Sequence, residues 1–416
     1  MVVTELADLR GPLPEKTTVL EASAGTGKTY TIAGLVTRYV AEGRAEIHQL
    51  LVVTFGRAAT SELRSRVRER LQFAREALLD EKPSDDPVVE VLRAGTALEV
   101  ADRVRRLAVA LSSFDAATVA TTHEFCHQVL RALGILANHE AGTVLVDTLR
   151  DLVTEVADDL YLAFALTRGS LPFGRDVAQT IVRYAMADPE AVLLPTGRDR
   201  DSEGDLRVRF GTAARREVEA RKRAMKVLSF DDLLGRVRDA LADPETGEQA
   251  CALLRRRYDV VLVDEFQDTD PIQWDILHRA FHGHRTLVVI GDPKQAIYSF
   301  RGADVRAYLA AKQVADHDRS LGTNWRSDRL VLDGLARLLR GAALGDPRIV
   351  VTPVAPGHTA VALGPAPDDA PVQIRVLTRA RIRVTNNGKI QTEAALEAIS
   401  ADVAGRSSTC CTPNGR

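Results

Sequence analysis

A glycine-containing loop near the N-terminus constrains the fold more than any other segment. The apolar segment Thr17–Glu21 (TTVLE) leads into Ala22–Thr29 (ASAGTGKT), and a helical pattern over Lys28–Val40 follows. A strand, a glycine loop and a helix in this order are typical of a phosphate-binding loop. The glycines let backbone amides approach phosphates, and the helix N-terminus adds partial positive charge. The sequence therefore predicts a P-loop site at the edge of a parallel sheet.

The predicted nucleotide site comprises the whole loop. Its members are Ala22, Ser23, Ala24, Gly25, Thr26, Gly27, Lys28 and Thr29. Lys28 would reach the β- and γ-phosphates of ATP, and Thr29 would offer its hydroxyl to Mg²⁺. Ala22 stands where the strict motif has its first glycine. The alternative interpretation is a glycine-rich turn that carries a solvated lysine.

Other apolar segments alternate with helical patterns along the chain. The further candidate strands are Leu50–Thr54, Ala117–Thr121, Val260–Val263 and Leu287–Ile290. The helical patterns that follow them are Ala58–Leu79, His123–Leu133 and Gln273–Phe281. Strands that are apolar on both faces and alternate with helices predict an α/β fold with a doubly wound parallel sheet.

Helical periodicity alone interrupts this alternation in the middle of the chain. We predict a first α/β lobe in two parts, a helical insertion between them, an incomplete second α/β lobe and an irregular tail. The two parts of the first lobe are 1–133 and 226–318, and the insertion is 134–225. The second lobe is 319–390, and the tail is 391–416. Within them, Asp199–Asp205 is expected to be a surface loop and Val372–Leu377 a strand of the second lobe.

Composition excludes several other classes of protein. The chain has 416 residues, 45% of them hydrophobic, and a formal net charge of −2, which argues against disorder and against a uniformly basic nucleic-acid-coating protein. The four cysteines have no CxxC spacing, so we expect reduced thiols rather than a zinc site. Without a signal-like segment or an apolar run of about 20 residues, we expect a cytoplasmic protein with no membrane contact.

Three more segments carry candidate chemistry for a nucleotide. Asp264 and Glu265 end an apolar strand, where Asp264 could bind Mg²⁺ and Glu265 could orient or deprotonate the attacking water. Gln295 follows another strand and could sense the γ-phosphate, while Arg326 could supply positive charge and Trp325 could stack on a base. The alternatives are helix capping by the acids and Gln295, and a surface ion pair for Arg326.

Aromatic side chains recur just after the predicted strands. Phe55, Phe125, Tyr298 and Phe300, with the hydroxyl of Thr122, would meet at the carboxyl edge of the sheet. Aromatic rings that stack on bases form tracks for single-stranded nucleic acid, although any one of these rings could instead belong to the core. The basic segment Arg215–Lys226 is either a contact to duplex DNA or a solvated helix face.

Taken in order, the motifs resemble those of superfamily 1A DNA helicases. The matching segments are EASAGTGKT, LLVVTFGRAATSELRSRV, ATTHEFC, SFDDLL, VLVDEFQDTDPIQW, VVIGDPKQAIYSFRGAD and TNWRS. The wording is most similar to the RecB type, the β subunit of exodeoxyribonuclease V, within the UvrD/RecB-like group. The resemblance implies a RecA-like fold and an ATP-driven motor that moves 3′→5′ on single-stranded DNA in double-strand-break repair.

The resemblance also implies roles for single residues and for partners. Lys28, Thr29, Asp264 and Glu265 would perform the ATP chemistry. Gln295 and Arg326 would contact the γ-phosphate, with Trp325 on the adenine side. Phe55, Thr122, Phe125, Tyr298 and Phe300 would line the DNA track. RecC- and RecD-like subunits and both single- and double-stranded DNA are the implied partners.

The sequence departs from the family after TNWRS. Neither the later motifs of a second motor lobe, nor its arginine finger, nor a nuclease domain is recognisable. We therefore expect a truncated chain, with a frameshift as one origin of its unusual end, that binds ATP and DNA but hydrolyses ATP weakly alone. A non-catalytic nucleotide- and DNA-binding module is the alternative. A P-loop kinase fits the phosphate loop but not the aromatic clusters.

Overall fold

The computed structural model describes most of the chain. The described residues are 5–80, 83–134, 143–146, 148–168, 172–187, 191–195, 202–297, 303–358, 372–378, 382 and 387–410. The strands are β1 (Glu5–Leu6), β2 (Thr17–Glu21), β3 (Leu50–Thr54), β4 (Thr118–Thr121), β5 (Val144–Leu145), β6 (Val227–Leu228), β7 (Val260–Val263), β8 (Thr286–Gly291), β9 (His317–Ser320), β10 (Thr323–Asn324) and β11 (Ala355–Pro356).

Fourteen α-helices lie in the described part of the chain. They are α1 (Lys28–Ala41), α2 (Arg57–Leu79), α3 (Pro87–Arg93), α4 (Ala97–Ser112), α5 (Thr122–Leu133), α6 (Arg150–Arg168), α7 (Arg175–Ala187), α8 (Glu203–Met225), α9 (Phe230–Ala242), α10 (Gly247–Arg257), α11 (Pro271–Phe281), α12 (Val305–Val314), α13 (Arg329–Leu339) and α14 (Thr392–Cys410).

The central sheet confirms the predicted α/β fold. Seven described strands pair in the order β1-β9-β2-β8-β7-β3-β4, and all of the pairs are parallel. The five predicted strands are all present, and three have the predicted bounds; β4 begins one residue later than predicted, and β8 is one residue longer at each end. Because every pair is parallel, the carboxyl ends of the strands lie along one edge of the sheet.

Alternate side chains of each strand enter two separate cores. Leu20, Val52 and Leu262 face the layer formed by α1 and α2, together with α4. Val19 and Leu51, by contrast, pack against the layer formed by α5, α9, α10 and α11. This two-residue period, with both faces buried, explains why the strands read as continuous apolar runs.

Strand β9 was missed by sequence reasoning because it is polar. Its residues are His-Asp-Arg-Ser, yet it pairs with both β1 and β2 inside the sheet. Asp318 is only 6% exposed, and the ammonium group of Lys312 lies 3.1 Å from its carboxylate. The ion pair with the neighbouring helix thus permits a buried charge in a strand of the central sheet, where buried strands are usually apolar.

The middle of the chain forms a small helical unit with its own core. Helices α6, α7 and α8 pack around Val156, Val182 and Phe210, each of which is fully buried. One expectation for this segment is wrong in detail: Asp205, predicted to lie in a surface loop, belongs to α8, because Ser202 caps that helix. Val144 belongs to β5, which pairs with β6. The remainder of the loop predicted at Asp199–Asp205 begins outside the described residues.

Two expectations for the C-terminal part are also wrong. Val372–Leu377 was predicted to be a strand, but residues 372–378 form none, since no described strand pairs with them. The range 391–416 was predicted to be irregular, but α14 occupies most of it. The alanine-rich composition of α14 favours a helix regardless of whether the segment packs into a domain. No described helix is long and apolar enough to cross a membrane.

Candidate nucleotide site

The phosphate loop leaves the middle of the sheet. Glu21, the last residue of β2, pairs with Gly291 at the end of β8, and the backbone amide of Ala22 donates to the Gly291 carbonyl at 2.9 Å. Strand β7, which ends next to Asp264, is the other neighbour of β8. The loop therefore begins beside the two segments that carry the remaining candidate residues.

Left-handed glycines give the loop its shape. Gly25 has φ +79° and Gly27 has φ +84°, a region that side chains with a Cβ rarely adopt. Gly27 precedes the first residue of α1, and no side chain caps the N-terminus of this helix. The amides of the first turn are therefore free of a side-chain cap, as a phosphate ligand requires.

Lys28 and Glu265 form an ion pair across the site. The ammonium group of Lys28 donates to Oε2 of Glu265, and both side chains are largely buried. Gln267 donates its side-chain amide to the same oxygen at 2.7 Å. Glu265 has φ +51°, one of two described non-glycine residues with positive φ. A non-glycine residue in this conformation is strained, and such strain concentrates at functional sites.

Two aspartates at this edge are held in poorly solvated positions. Burial raises the pKa of Asp264 to about 6; Lys28 opposes the shift, and Glu265 adds to it. Burial and the charge of Glu265 likewise raise the pKa of Asp268 to about 6. Among the described residues no lysine or arginine forms an ion pair with Asp264, whose Oδ1 accepts the Glu265 amide at 2.9 Å. A buried carboxylate without an ion pair is suited to a bound cation.

Gln295 lies in the loop after β8 and is held by Asp292. Its side-chain amide donates to Oδ2 of Asp292 at 2.8 Å, and Asp292 is only 2% exposed. The backbone amide of Asp292 donates to Oε1 of Gln267 at 2.9 Å. Hydrogen bonds therefore connect Gln295 through Asp292 and Gln267 to Glu265.

The segment 324–327 docks directly on the phosphate loop. Asn324 is buried and donates to the Ala24 carbonyl at 2.8 Å, while the Trp325 amide donates to the Gly25 carbonyl at 2.7 Å. A Cβ built on Gly25 would lie 2.7 Å from the Cβ of Arg326. The side chains of Trp325 and Arg326 are exposed, so they remain accessible to a ligand at the loop.

These motifs belong to a known family. The model of the UvrD/REP helicase N-terminal domain matches residues 9–316. The chain belongs to the UvrD/REP helicase family. The match spans the phosphate loop, the Asp264–Glu265 pair and the Gln295 loop, and it confirms the resemblance predicted from the motifs.

Relatives of this chain include proteins named RecBCD enzyme subunit RecB. The one from Mycolicibacterium smegmatis is 48% identical over 375 residues, which are 89% of this chain and 34% of the relative. The one from Mycobacterium tuberculosis H37Rv is 44% identical over 408 residues, 95% of this chain and 36% of the relative. The one from Escherichia coli K12 is 29% identical over 463 residues, with 78% and 38% covered. The chain thus spans about a third of the length of these relatives.

The residues predicted to line a DNA track are not all at the surface. Phe55 follows β3 and is 39% exposed, and Thr122 is half-buried at the start of α5. Phe125 is fully buried in the core and packs edge-on against Tyr258 at 6.2 Å, so its predicted role as a stacking surface is wrong for this structure. Tyr298 and Phe300 lie outside the described residues.

Helical periodicity explains the position of Phe125. It follows Thr121, the N-cap of α5, by four residues and faces the same side as Val129 towards the sheet. The helix predicted over His123–Leu133 already included Phe125, and in the structure it begins one residue earlier, immediately after β4. A ring one turn into such a helix packs against the face of the sheet and is not exposed at its carboxyl edge.

The basic segment Arg215–Lys226 is largely engaged within the insertion. Arg221 pairs with Glu155 at 2.8 Å and Asp159 at 2.6 Å. Lys222 is buried and contacts Asp232 at 2.6 Å. These contacts occupy two cations that duplex DNA would need, and the buried Lys222 also differs from the solvated helix face that was the alternative.

Sequence reasoning missed several residues that organise the site. Gln267, Asp292, Lys294 and Asn324 were present in the quoted motifs but were given no role. Buried polar side chains require partners, and each of these four bonds a neighbouring segment. The signal available in the sequence was that each of these polar residues lies within three positions of a predicted catalytic group.

Proposed function

We propose that this chain is the ATP-binding motor region of a RecB-type DNA helicase that moves 3′→5′ and acts in double-strand-break repair. One observation carries the proposal: Lys28, Asp264 and Glu265 interact at the carboxyl edge of a parallel sheet, beside a left-handed glycine loop. That constellation is the one that ATP hydrolysis by a P-loop enzyme requires. The RecB names of the relatives support the choice of DNA as the track.

The chain's own residues suggest how the site changes when ATP binds. In the structure, Lys28 pairs with Glu265. The phosphates of ATP attract Lys28 more strongly than one carboxylate does, because they carry several charges. Glu265 is then available to orient the attacking water and accept its proton, while Gln267 fixes the position of its carboxylate.

Thr29 and Asp264 are the residues that would bind Mg²⁺. Asp264 fits this role because it is a poorly solvated carboxylate that lacks an ion pair among the described residues. When bound, the ion neutralises phosphate charge. We infer that Arg326 and Gln295 contact the γ-phosphate and that Trp325 contacts the adenine side; a close approach of Arg326 and Trp325 to Gly25 supports this for those two residues.

The proposed DNA face consists of Phe55 and Thr122 at the described edge of the sheet, with Tyr298 and Phe300 retained from the sequence. RecC- and RecD-like subunits are the proposed partners, in the cytoplasm. Since the chain spans about a third of its relatives, we expect this chain alone to bind ATP and DNA but to hydrolyse ATP slowly. Efficient unwinding by the purified chain would contradict that expectation.

Replacement of Lys28 tests the ATP site. We expect Lys28→Ala to weaken binding of Mg²⁺–ATP by roughly 100-fold, since two or more charge-assisted hydrogen bonds are lost. Lys16→Ala is the matched control, because Lys16 is 70% exposed and only reaches Asp316 at 4.0 Å. Titration of a fluorescent ATP analogue measures both. Unchanged affinity in Lys28→Ala would reject the proposed site.

Single-turnover hydrolysis separates a motor from a non-catalytic module. With ATP bound, added single-stranded DNA should accelerate phosphate release in the native chain, and Glu265→Gln should abolish the acceleration while ATP still binds. Phe55→Ala should lower affinity for single-stranded DNA about tenfold, whereas Phe73→Ala, another exposed ring, should not. Nucleotide and DNA binding without any hydrolysis would favour the module. Phosphoryl transfer to a small molecule without DNA would favour a kinase.

A further inference from the structure

A cluster of five charged side chains lies directly behind the phosphate loop. Its members are Glu21, Asp292, Lys294, Lys312 and Asp318. The Lys294 ammonium lies 2.5 Å from Oε1 of Glu21 and 2.7 Å from Oδ1 of Asp292. The exposed fraction of the Lys294 side chain is 11%, and that of Asp292 is 3%. Ion pairs this buried have well-defined geometry, unlike pairs on the surface.

Two lysines share Glu21, but they belong to different segments. Lys312 on α12 lies 3.3 Å from Oε2 of Glu21 and also binds Asp318 of β9. Lys294 lies in the loop that carries Gln295. Burial alone would raise the pKa of Glu21, and the two ammonium groups hold it below its ordinary value. Glu21 is therefore a fixed anion at the residue that immediately precedes the phosphate loop.

Asp292 connects this cluster to the catalytic edge. One carboxylate oxygen accepts from the Lys294 ammonium, and the other accepts from the Gln295 side chain at 2.8 Å. Its backbone amide donates to Gln267, which in turn donates to Glu265. The charge on Asp292 thus determines how strongly the Gln295 amide is retained in the absence of nucleotide.

We propose that Lys294 is a positioning residue for Gln295: by pairing with Asp292 and Glu21, it lets Gln295 leave Asp292 for the γ-phosphate of ATP. The inference rests on the proposed function, because it requires that ATP binds at the loop. Without Lys294, Asp292 would lose its only described ammonium partner and would bind the Gln295 amide more strongly. The γ-phosphate would lose its contact with Gln295, and the α- and β-phosphates would keep theirs with the loop.

The preference for the γ-phosphate is the measurement that isolates this role. We define it as the Kd for ADP divided by the Kd for a non-hydrolysable ATP analogue, each measured with Mg²⁺ on the full chain. Lys294→Met should reduce this ratio about tenfold, the equivalent of one hydrogen bond to a charged group. Gln295→Ala should reduce it equally, and the double variant should fall no further, since both changes remove the same contact.

Lys312→Met is the matched control. It removes one positive charge from the same cluster and one ion pair from the same Glu21, but Lys312 does not contact Asp292. Both lysine variants should therefore lower nucleotide affinity in general through charge, and only Lys294→Met should lower the ratio. The melting temperature of each variant verifies folding. If the Lys294→Met chain fails to fold, Lys294→Arg is the second variant, and we expect it to have the native ratio.

The outcomes distinguish this inference from the proposed function. A native chain that binds ADP and the ATP analogue, with a ratio unchanged in Lys294→Met, overturns the role of Lys294 and leaves the ATP site intact. Equal affinity of the native chain for both nucleotides also overturns it. If Lys312→Met and Lys294→Met lower the ratio equally, the effect comes from the charge of the cluster, and the positioning role of Lys294 is overturned. A native chain that binds neither nucleotide rejects the proposed function itself.

Discussion

Helices α1 and α13 are both rich in apolar residues, yet only one of them is covered. In α1, eleven of fourteen residues are buried between the sheet and α2. In α13, none of the eleven residues is buried, and four of its five leucines are between 39% and 51% exposed. An amphipathic pattern specifies which face of a helix can be buried, whereas the neighbouring elements determine whether it is. The phosphate loop and segment 324–327 are where these two regions meet.

A leucine pair gives the largest expected difference between the two regions. Leu35 on α1 is 6% exposed and Leu338 on α13 is 49% exposed. Leu35→Ala should lower the free energy of unfolding by about 3 kcal/mol, because it leaves a cavity in a packed core. Leu338→Ala should change it by less than about 0.5 kcal/mol. Urea denaturation measures both, and equal losses would show that α13 is covered in solution.

Gly25 tests the junction itself, that is, the contact between the phosphate loop and segment 324–327. An alanine there would have to adopt φ +79° and place its Cβ 2.7 Å from Arg326 and 2.9 Å from Asn324. Gly25→Ala should therefore cost about 2 kcal/mol and detach segment 324–327 from the loop. Gly235 in α9 is the control, since no atom lies within 4 Å of an added Cβ. Gly235→Ala should stabilise the chain by up to about 1 kcal/mol. A tolerated Gly25→Ala would refute the docking.

Asp268 shows that the covered region also contains an unfavourable group. It is 7% exposed, one of its carboxylate oxygens is buried without a described partner, and its pKa is about 6. Because the folded state binds this proton more tightly than the unfolded state, its contribution to stability is lost as pH rises from about 4 to about 6. Asp268→Asn should therefore gain about 1 kcal/mol over the native chain at pH 7.5 and nothing at pH 4. Parallel denaturation curves at the two values measure the gain, and an equal difference at both would contradict the assignment.

The limits of sequence reasoning follow the same division between the two regions. The strands around the phosphate loop were predictable because each is apolar on both faces and ends in a recognisable motif. Strand β9 and the inward-facing Phe125 were not, since an ion pair with Lys312 and the start of α5 decide their environment. The segment Val372–Leu377 was predicted as a strand from local pattern alone, and local pattern cannot supply a pairing partner.

The smallest expected effect concerns Trp325, which lies on the exposed side of the junction. Its backbone amide binds Gly25, but its ring is 57% exposed and meets only His358 edge-on at 6.0 Å among the described rings. Trp325→Ala should keep the backbone contact and change stability by less than about 0.5 kcal/mol. If the ring contacts adenine, affinity for ADP should fall about fivefold, as expected for the loss of one stacking contact. Affinity for inorganic tripolyphosphate, which has no base, should not change. An equal loss of affinity for both ligands would mean that Trp325 acts through the shape of the phosphate loop and does not contact the base.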